Sequence, residues 1–309
     1  MTEGAYCPSC QSKNIQLIGP IPNSDIFAGH SLDSSFHGGD LYLCYECELQ
    51  FRSPILDKKQ FDQLYMESAE DNWQQKGIER DDWTIAINWI KSQYRKGRIL
   101  DVGCFDGEFL TKLGSNYELN GIEISKRAAA KATHKGINIV DNNFYRIENA
   151  TNLYDIVVAF DVIEHVSNPI YILKAIAKLT HKSGVVIIST GNSQAFSWRL
   201  LKNRYWYCAI PEHISFISPD WCKKHALNCG LNLESVEFFS HASKHRWIIF
   251  TKIKQTIVNL IYIFCPSILM KLRKLGFGGK DVSRFTELLY HPPSWATSRD
   301  HFIVKFRKV

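Results

Sequence analysis

Apolar segments that end in acidic residues or glycine turns recur along the middle of this chain, and they constrain its fold most strongly. The first runs from Arg98 to Val102 and continues into a turn that contains Gly103 and Gly107, after which a helical pattern begins. Glycine at these positions lets the backbone turn tightly and approach a ligand closely. Further apolar segments alternate with helices, and this alternation predicts an α/β domain whose parallel sheet is covered on both faces.

Acidic residues mark the points where the next three strands end. The second predicted strand, Tyr117 to Ser125, carries Glu123 twenty residues after Gly103. An acidic side chain at that distance is placed to accept hydrogen bonds from both ribose hydroxyls of a nucleoside. The third strand ends at Asp141 and the fourth at Asp161. Acidic residues at the carboxyl ends of parallel strands indicate the ligand-binding edge of an open α/β sheet.

The remaining elements of the sheet follow from the same patterns. A helix is predicted near Pro169 to Lys182, followed by a fifth strand at Val185 to Thr190. Ser218 precedes a proline and is expected to cap a helix that ends at Gly230 and returns the chain to a sixth strand. The last strand is predicted near the carboxyl terminus, from Arg299 to Val309, and antiparallel to the others.

Two segments resemble motifs of a known family. Leu100-Asp101-Val102-Gly103-Cys104-x-x-Gly107 resembles the first motif of class I S-adenosylmethionine-dependent methyltransferases. Phe160-Asp161-Val162-Ile163-Glu164-His165-Val166 resembles the fourth-strand motif of the branch that contains ubiquinone-biosynthesis O-methyltransferases and deoxysugar C-methyltransferases. The resemblance extends from about residue 80 to 240, and it implies a Rossmann-like sheet of seven strands. It also implies S-adenosylmethionine as cofactor, bound by Asp101, Gly103, Cys104, Gly107, Glu123, Ile124, Asp141 and Asp161.

Phe105 departs from the family pattern, because it stands where the first motif commonly has its middle glycine. The turn must therefore hold residue 105 at a negative φ or bear strain. A dinucleotide-dependent oxidoreductase with a modified fingerprint is the competing interpretation. It is disfavoured because the GxGxxG spacing for a pyrophosphate is absent.

Two CxxC pairs near the amino terminus form the second strong pattern. Cys7, Cys10, Cys44 and Cys47 supply the four thiolates of a tetrahedral zinc site, and a site with four thiolates is structural because it leaves no open position for water. The 33 residues between the pairs exceed the usual ribbon spacing, which predicts an inserted loop with His30 and His37 as spare ligands. A redox role is the alternative, but no βαβ pattern surrounds either pair. Some sugar-modifying relatives also begin with a zinc module.

Two histidines are candidates for an acceptor-deprotonating base. His165 follows the fourth strand and His213 lies after the fifth, and an imidazole is well matched to neutral pH. Either ring could instead cap a helix or bond an inner loop. Glu164 and His165, with Asp161, also resemble the metal-binding Glu-x-x-Glu-His of ubiquinone O-methyltransferases, so a divalent metal is a further alternative. The aromatic stretch before His213 suggests substrate contacts from Tyr205, Trp206 and Glu212.

The predicted function is methyl transfer to a carbohydrate, either a nucleotide-linked sugar or a polysaccharide intermediate, and this acceptor class rests on the resemblance. The alternatives are an RNA methyltransferase, a methyltransferase of a small aromatic or lipid acceptor, and a non-catalytic module that binds S-adenosylmethionine. A nucleic-acid partner is disfavoured, because the net charge of +6 is local. Residues 241–280 hold eight basic and no acidic side chains, and elsewhere acids slightly outnumber bases.

The predicted domains are a zinc module (1–60), a helical connector (61–97), a methyltransferase domain (98–240 with 298–309) and a helical insertion (241–297). In the connector, Trp83, Ile87, Ile90 and Tyr94 form the expected apolar stripe. In the insertion, the uncharged stretch Gln255 to Met270 is broken by Pro266 and is shorter than the roughly 20 apolar residues of a membrane span. We expect a lid whose basic residues attract phosphate, with a packed helical pair as the alternative. Met1 to Tyr6 lacks a targeting pattern, which predicts a cytoplasmic protein. The basic and apolar residues of the insertion add the expectation of peripheral membrane contact through residues 241–280.

Overall fold

The computed structural model of the chain describes residues 5–27, 30–55, 80–142, 153–240, 248–274 and 292–309. Its strands are β1 (Ile15–Pro20), β2 (Ser24–Phe27), β3 (His30–Phe36), β4 (Asp40–Cys44), β5 (Gln50–Ser53), β6 (Gly97–Val102), β7 (Tyr117–Ile122), β8 (Asn138–Asp141), β9 (Tyr154–Phe160), β10 (Thr180–Gly191), β11 (Ser215–Phe216), β12 (Leu231–Phe239) and β13 (His301–Lys308). Its α-helices are α1 (Asp81–Gln93), α2 (Glu108–Thr111), α3 (Lys126–His134), α4 (Pro169–Leu179), α5 (Phe196–Leu201), α6 (Pro219–Ala226), α7 (Ile248–Phe264) and α8 (Pro266–Lys274).

The chain forms two compact units, each assembled from separate stretches of sequence. The cysteine unit combines residues 1–78, 191–216 and 240–301, and the central-sheet unit combines residues 79–190, 217–239 and 302–309. The boundaries expected from the sequence separate the first 60 residues from residues 191–216, whereas this grouping places both in the cysteine unit. Of the expected insertion, residues 241–247 and 275–291 lie outside the described part of the chain, as does most of the connector.

The central-sheet unit contains a seven-stranded sheet in the order β12-β13-β10-β9-β6-β7-β8. The pairs β6 with β7, β6 with β9, β7 with β8, and β9 with β10 are parallel. Long apolar runs make this arrangement stable, because a parallel sheet covered by helices buries both of its faces. Ile156 to Ala159 and Val185 to Ile188 are accordingly buried without interruption. The prediction of a Rossmann-like sheet of seven strands is confirmed.

Helix α1 buries a narrower stripe than the sequence pattern suggested. Its fully buried positions are Asp82, Ala86 and Ile90, spaced four residues apart, so they lie on one face. Of the four residues in the expected stripe, only Ile90 is a buried member of the core. Trp83, Ile87 and Tyr94 are partly buried and pack against that core. A carboxylate therefore occupies one of the three most buried positions of this helix.

The element bounds differ from the expected ones mainly at the start of β10. Thr180 already pairs with Tyr154 in the sheet, so α4 ends at Leu179, before the predicted end near Lys182. The register then shifts between Thr180 and Val185, where Ser183 has a φ of +65°. By contrast, the hydroxyl of Ser218 accepts a hydrogen bond from the backbone N–H of Trp221, as expected for the cap of α6.

The cysteine unit is built on a four-stranded sheet in the order β1-β4-β5-β11, with antiparallel pairing, and a separate hairpin of β2 and β3. Its core draws on all three sequence stretches, because Leu41, Trp198, Phe216, Tyr262 and Leu269 belong to one cluster of buried side chains. The buried guanidinium of a β5 arginine, Arg52, donates to the carbonyl oxygens of Cys208 and Ile210, which ties this sheet to residues 206–210.

In the part of the chain that the structure describes, no single helix is long and apolar enough to cross a membrane. Ile248–Phe264 and Pro266–Arg273 reach a sufficient length and apolar composition only when the two helices are taken together. The chain is bent by 120° at the break between them.

Candidate functional site

The carboxylate of Glu123 lies where two turns of the central-sheet unit meet. Glu123 follows β7, and Phe105 lies in the turn that follows the neighbouring strand β6. The backbone N–H of Phe105 donates to Oε2 of Glu123 at 2.9 Å, and the backbone N–H of Ser125 donates to Oε1 at 2.7 Å. These two bonds fix the carboxylate, whose two oxygens are both hydrogen-bond acceptors. Glu123 therefore combines a fixed position with acceptor capacity.

The glycine turn after β6 has an unusual backbone throughout. Gly103 and Gly107 have φ values of +78° and +74°, and Phe105 between them has a φ of +49°. A side chain at Gly103 would bring its Cβ to 2.7 Å from Cγ2 of Val162, so both the conformation and the space require glycine there. Of the two sequence-based alternatives for residue 105, the structure has the strained one, because Phe105 lies in the left-handed region.

Asp101 lies at the end of β6, beneath this turn, and is almost fully buried. Among the described residues its Oδ1 atom has no hydrogen-bond partner. The pKa of the Asp101 carboxyl is raised to about 8, mainly by burial and also by the nearby Glu123, while Arg80 acts in the opposite direction. A buried carboxyl with a free oxygen is costly unless a partner arrives. Asp101 is thus a candidate ligand for a cation.

An ion-pair network at the ends of β9 and β10 was missed by the sequence reasoning. Nη2 of Arg80 lies 2.6 Å from Oδ2 of Asp161 and also 2.6 Å from Oδ2 of Asp82. The hydroxyl of Ser189 donates to the same carboxylate of Asp82 at 2.8 Å. Asp161 has a φ of +51°, and its backbone N–H donates to the carbonyl of Ser189. Arg80 therefore fixes the side chain that ends the fourth strand.

The other expected cofactor residues lie in or beside the same turns. Cys104 is buried, and burial raises the pKa of its thiol well above the usual range, so it remains a neutral thiol. Its Sγ atom occupies the space where a side chain at Gly121 would lie. Ile124 follows Glu123 and is half-buried. The carbonyl of Asp141, at the end of β8, accepts from the backbone N–H of Glu123. Their roles as cofactor ligands stay predictions.

The fourth-strand motif places Glu164 and His165 in a short 3-10 helix, Ile163–His165. Glu164 is buried, and its Oε2 accepts from the hydroxyl of Thr190 at 2.9 Å. His165 is partly exposed, and one of its ring nitrogens lies within 4.8 Å of a Glu164 carboxylate oxygen. A base needs such access to a substrate, so the geometry leaves the predicted role of His165 open to test.

The remaining predicted residues lie in the cysteine unit. His213 is buried, its Nδ1 lies 3.1 Å from the carbonyl oxygen of Tyr207, and its ring is 4.1 Å from the Tyr207 ring. The ring of Tyr205 is fully buried and its hydroxyl donates to the carboxylate of Asp300. The half-buried Trp206 donates its ring N–H to the same carboxylate at 3.2 Å. Glu212 is buried as well. The predicted substrate and base roles of this group are untested.

The four amino-terminal cysteines come together as the sequence predicts. One sulfur atom from each of Cys7, Cys10, Cys44 and Cys47 lies within 4.8 Å of the other three. The sulfur atoms of Cys7 and Cys47 are 3.5 Å apart, and so are those of Cys10 and Cys44. Four zinc–sulfur bonds of about 2.3 Å in a tetrahedron require sulfur separations close to these values. The cluster therefore fits a zinc module.

Comparisons with known proteins agree with this geometry. Residues 83–236 match the family described as "Methyltransferase domain". A ubiquinone biosynthesis O-methyltransferase from Aeromonas salmonicida (strain A449) is 30% identical over 154 residues, which cover 44% of this chain and 64% of that protein. The enzyme of the same name from Azoarcus sp. (strain BH72) is 29% identical over 171 residues, which cover 49% of this chain and 72% of that protein. The chain thus spans less than two thirds of the Aeromonas relative.

Among solved structures, the methyltransferase chain in a complex with the Haloferax volcanii Trm112 methyltransferase activator is similar in fold. It has a TM-score of 0.51 and 11% identity, and the match covers 81% of this chain and 97% of that one. At this identity the similarity supports the fold alone. The strand order, the turn after β6 and the family match together identify the chain as a member of the class I S-adenosylmethionine-dependent methyltransferases.

Proposed function

We propose that this protein transfers the methyl group of S-adenosylmethionine to a hydroxyl-bearing or carbon acceptor. The observation that carries the proposal is the Glu123 carboxylate, which two backbone amides fix beside the unpartnered oxygen of Asp101. S-adenosylmethionine supplies a methyl group activated by its sulfonium, so the reaction needs alignment more than acid catalysis. The residues of this chain then have to bind, orient and, for some acceptors, remove a proton.

The donor set suits this cofactor in charge as well as in position. Glu123 offers paired acceptors for the two ribose hydroxyls. Asp101 offers a buried oxygen for the ammonium group, whose positive charge would favour the ionised carboxylate that burial disfavours. Arg80 fixes Asp161 at the end of the neighbouring strand and acts as a positioning residue. These assignments use only side chains of the central-sheet unit.

The binding step is tested with Glu123→Gln, because this change keeps the shape and removes the negative charge. Charge-assisted hydrogen bonds contribute about 1.5–3 kcal/mol, so we expect S-adenosylmethionine affinity to fall roughly tenfold or more by calorimetry. Glu118→Gln is the matched control, since Glu118 lies on the same strand but is exposed and paired with Arg98. Equal affinity of the Glu123 variant and wild type would remove this residue from the site.

For the acceptor, we propose a small lipid-like molecule that carries a hydroxyl group. Relatives named as ubiquinone biosynthesis O-methyltransferases support this class. The carbohydrate acceptor expected from the sequence is the second candidate, supported by the resemblance to sugar-modifying relatives with a zinc module. A panel of polyprenylated phenols, nucleotide sugars and glycans with methyl-labelled cofactor separates the two. Label only in the sugars would overturn the lipid-like assignment.

Proton removal from such a hydroxyl is proposed for His165 or His213. His165 is partly exposed and has a buried carboxylate neighbour, and Nδ1 of His213 lies 3.1 Å from the carbonyl oxygen of Tyr207, which orients the ring. His165→Asn and His213→Asn are expected to differ, with the base variant losing 10²–10⁴-fold in turnover while binding S-adenosylmethionine normally. Turnover near the wild-type value in both variants would contradict this assignment.

A structural zinc ion at Cys7, Cys10, Cys44 and Cys47 completes the proposal. The separations of their sulfur atoms support it, and so does the residue set, since four thiolates are a common structural zinc environment. The ion would stabilise the small sheet of the cysteine unit and take no part in the transfer.

A further inference from the structure

Helix α7 carries apolar side chains on two opposite faces, and the described residues of the chain pack against only one of them. On the inner face, Tyr262 belongs to the core of the cysteine unit, and Asn259 donates to the carbonyl oxygen of Ser294 at 3.3 Å. Gln255 accepts from both the backbone and the hydroxyl of Thr297. These contacts give the helix a fixed orientation within its unit. Because these contacts fix the rotation of the helix about its axis, the opposite face is directed away from the core of the cysteine unit.

The outer face carries an exposed apolar stripe, which we define as Ile249, Phe250, Ile253, Ile257, Leu260 and Phe264. Ile249 and Phe264 are each 73% exposed, and every other member is also largely exposed. At 100° per residue these six positions fall within an arc of about 100° around the helix. Ile268 of α8 is exposed as well. Contiguous apolar surface of this kind indicates an interaction site, whereas isolated exposed apolar residues do not.

Basic residues flank this stripe, and acidic residues are absent from both helices. On the same helical projection, Lys252 and Lys254 lie on opposite sides of the stripe, and both are exposed. Helix α8 adds the exposed Lys271, and residues 248–274 contain no Asp or Glu. An apolar stripe with lysines along its borders is the pattern of helices that lie in the plane of a membrane interface.

From this arrangement we infer that the outer face of α7 docks onto an anionic membrane surface. The apolar side chains would enter the boundary between headgroups and acyl chains, while the lysines pair with lipid phosphates. A second copy of the chain is the less suitable occupant, because a symmetric contact would place against each other two faces that each carry three exposed lysines and no acidic residue. The inference is independent of the acceptor and of methyl transfer.

Vesicle sedimentation with the full-length protein tests the inference without any cofactor. Wild-type protein is expected to bind vesicles with 30% anionic lipid, to bind neutral vesicles more weakly, and to lose affinity as salt increases. The triple variant Ile253→Ser, Ile257→Ser, Phe264→Ser should lose at least tenfold in affinity. The pair Lys252→Gln, Lys254→Gln should lose roughly fivefold per lysine on anionic vesicles only.

Leu227→Ser is the matched control, because Leu227 is 69% exposed but belongs to the central-sheet unit, and it should bind vesicles like wild type. Calorimetry with S-adenosylmethionine on the triple variant checks that folding and the proposed function are intact. Absence of wild-type binding to anionic vesicles would overturn the inference. So would unchanged binding by the triple variant, or a wild-type dimer that the triple variant converts to a monomer while neither binds vesicles.

Discussion

Phe105 shows how one residue can be strained in conformation and still suit its position. An L-amino acid in the left-handed region costs about 1–2 kcal/mol, which a glycine would avoid. The conformation aims the backbone N–H of Phe105 at Glu123, and this bond does not depend on the side chain. Strain held by the surrounding structure is typical of ligand-binding turns. The departure from the family motif therefore preserves the backbone geometry that the motif provides.

Substitution of Phe105 by glycine and by alanine isolates this strain, because both variants lack the aromatic ring. We expect the Phe105→Gly variant to be more stable than Phe105→Ala by about 1 kcal/mol, since only alanine pays for a φ of +49°. Urea unfolding followed by circular dichroism measures the difference. Equal stability of the two variants would mean that residue 105 relaxes to a negative φ when the ring is removed.

Asp101 leads to a prediction about pH. With a pKa of about 8, the carboxyl is largely protonated at pH 7 in the free protein. A bound cation favours the ionised form, so binding of S-adenosylmethionine should release up to about one proton per site at neutral pH. The contribution of Asp101 to the affinity should therefore rise as the pH approaches 8 and level off above it. Calorimetry at pH 7 in buffers of different ionisation enthalpy measures the proton release.

Asp101→Asn is the control for this linkage, because it keeps the shape but cannot titrate. The amine of the cofactor titrates with both proteins, so the difference between wild type and variant reports Asp101 alone. Equal proton release by the two proteins would show that Asp101 does not become ionised on binding.

The site was only partly predictable at the level of residues. Glu123 could be identified because its spacing from Gly103 reflects a local βαβ geometry. Arg80 could not, because its pairing with Asp161 joins residues 81 positions apart and leaves no periodic signal in the sequence. The buried position of Asp82 was not predictable for a different reason, since a carboxylate on a helix normally indicates an exposed face.

Among the elements, the strands of the central sheet were predictable and those of the cysteine unit less so. Buried parallel strands are long apolar runs with acidic ends, and these patterns are visible in one sequence. Strand β11 has two residues, Ser215 and Phe216, and pairs with β5 through Phe51 and Gln50. Such a short strand has no alternation to detect, and its partner lies far away in the sequence. The zinc module consequently looked like a separate amino-terminal domain.

The four-cysteine cluster gives a prediction at this scale. Purified, reduced protein is expected to contain about one zinc ion per chain, and Cys44→Ser should lose the metal and lower the unfolding temperature, because a bound ion would link the turns that precede β1 and follow β4. Elemental analysis with thermal unfolding measures both effects. Cys265→Ser is the control, since Cys265 is exposed and lies outside the cluster. Metal-free wild-type protein would end the assignment.

At the scale of the whole molecule, the chain passes between the two units several times. The cysteine unit needs residues 191–216 and 240–301 in addition to its amino-terminal sheet. Contacts between such distant segments carry a loop-closure cost that has to be met before packing offsets it. We therefore expect a metal ion at the four cysteines to stabilise residues 191–216 and 240–301 as well as the amino-terminal sheet. The reason is that Leu41 of the sheet shares a core with Trp198 and Tyr262.

Hydrogen exchange with and without a zinc chelator tests whether the metal stabilises these distant segments. Loss of the metal should reduce amide protection in β1, β4 and β5 and also in α5 and α7, because those helices pack their buried side chains into the same cluster. Strands β6 and β9 should keep their protection, since their buried residues belong to a core formed within the central-sheet unit. The protection of β6 and β9 therefore serves as the control within the same sample. Deprotection confined to residues 5–55 would show that the zinc cluster stabilises only the amino-terminal sheet, and that the other two segments fold around it without depending on the metal.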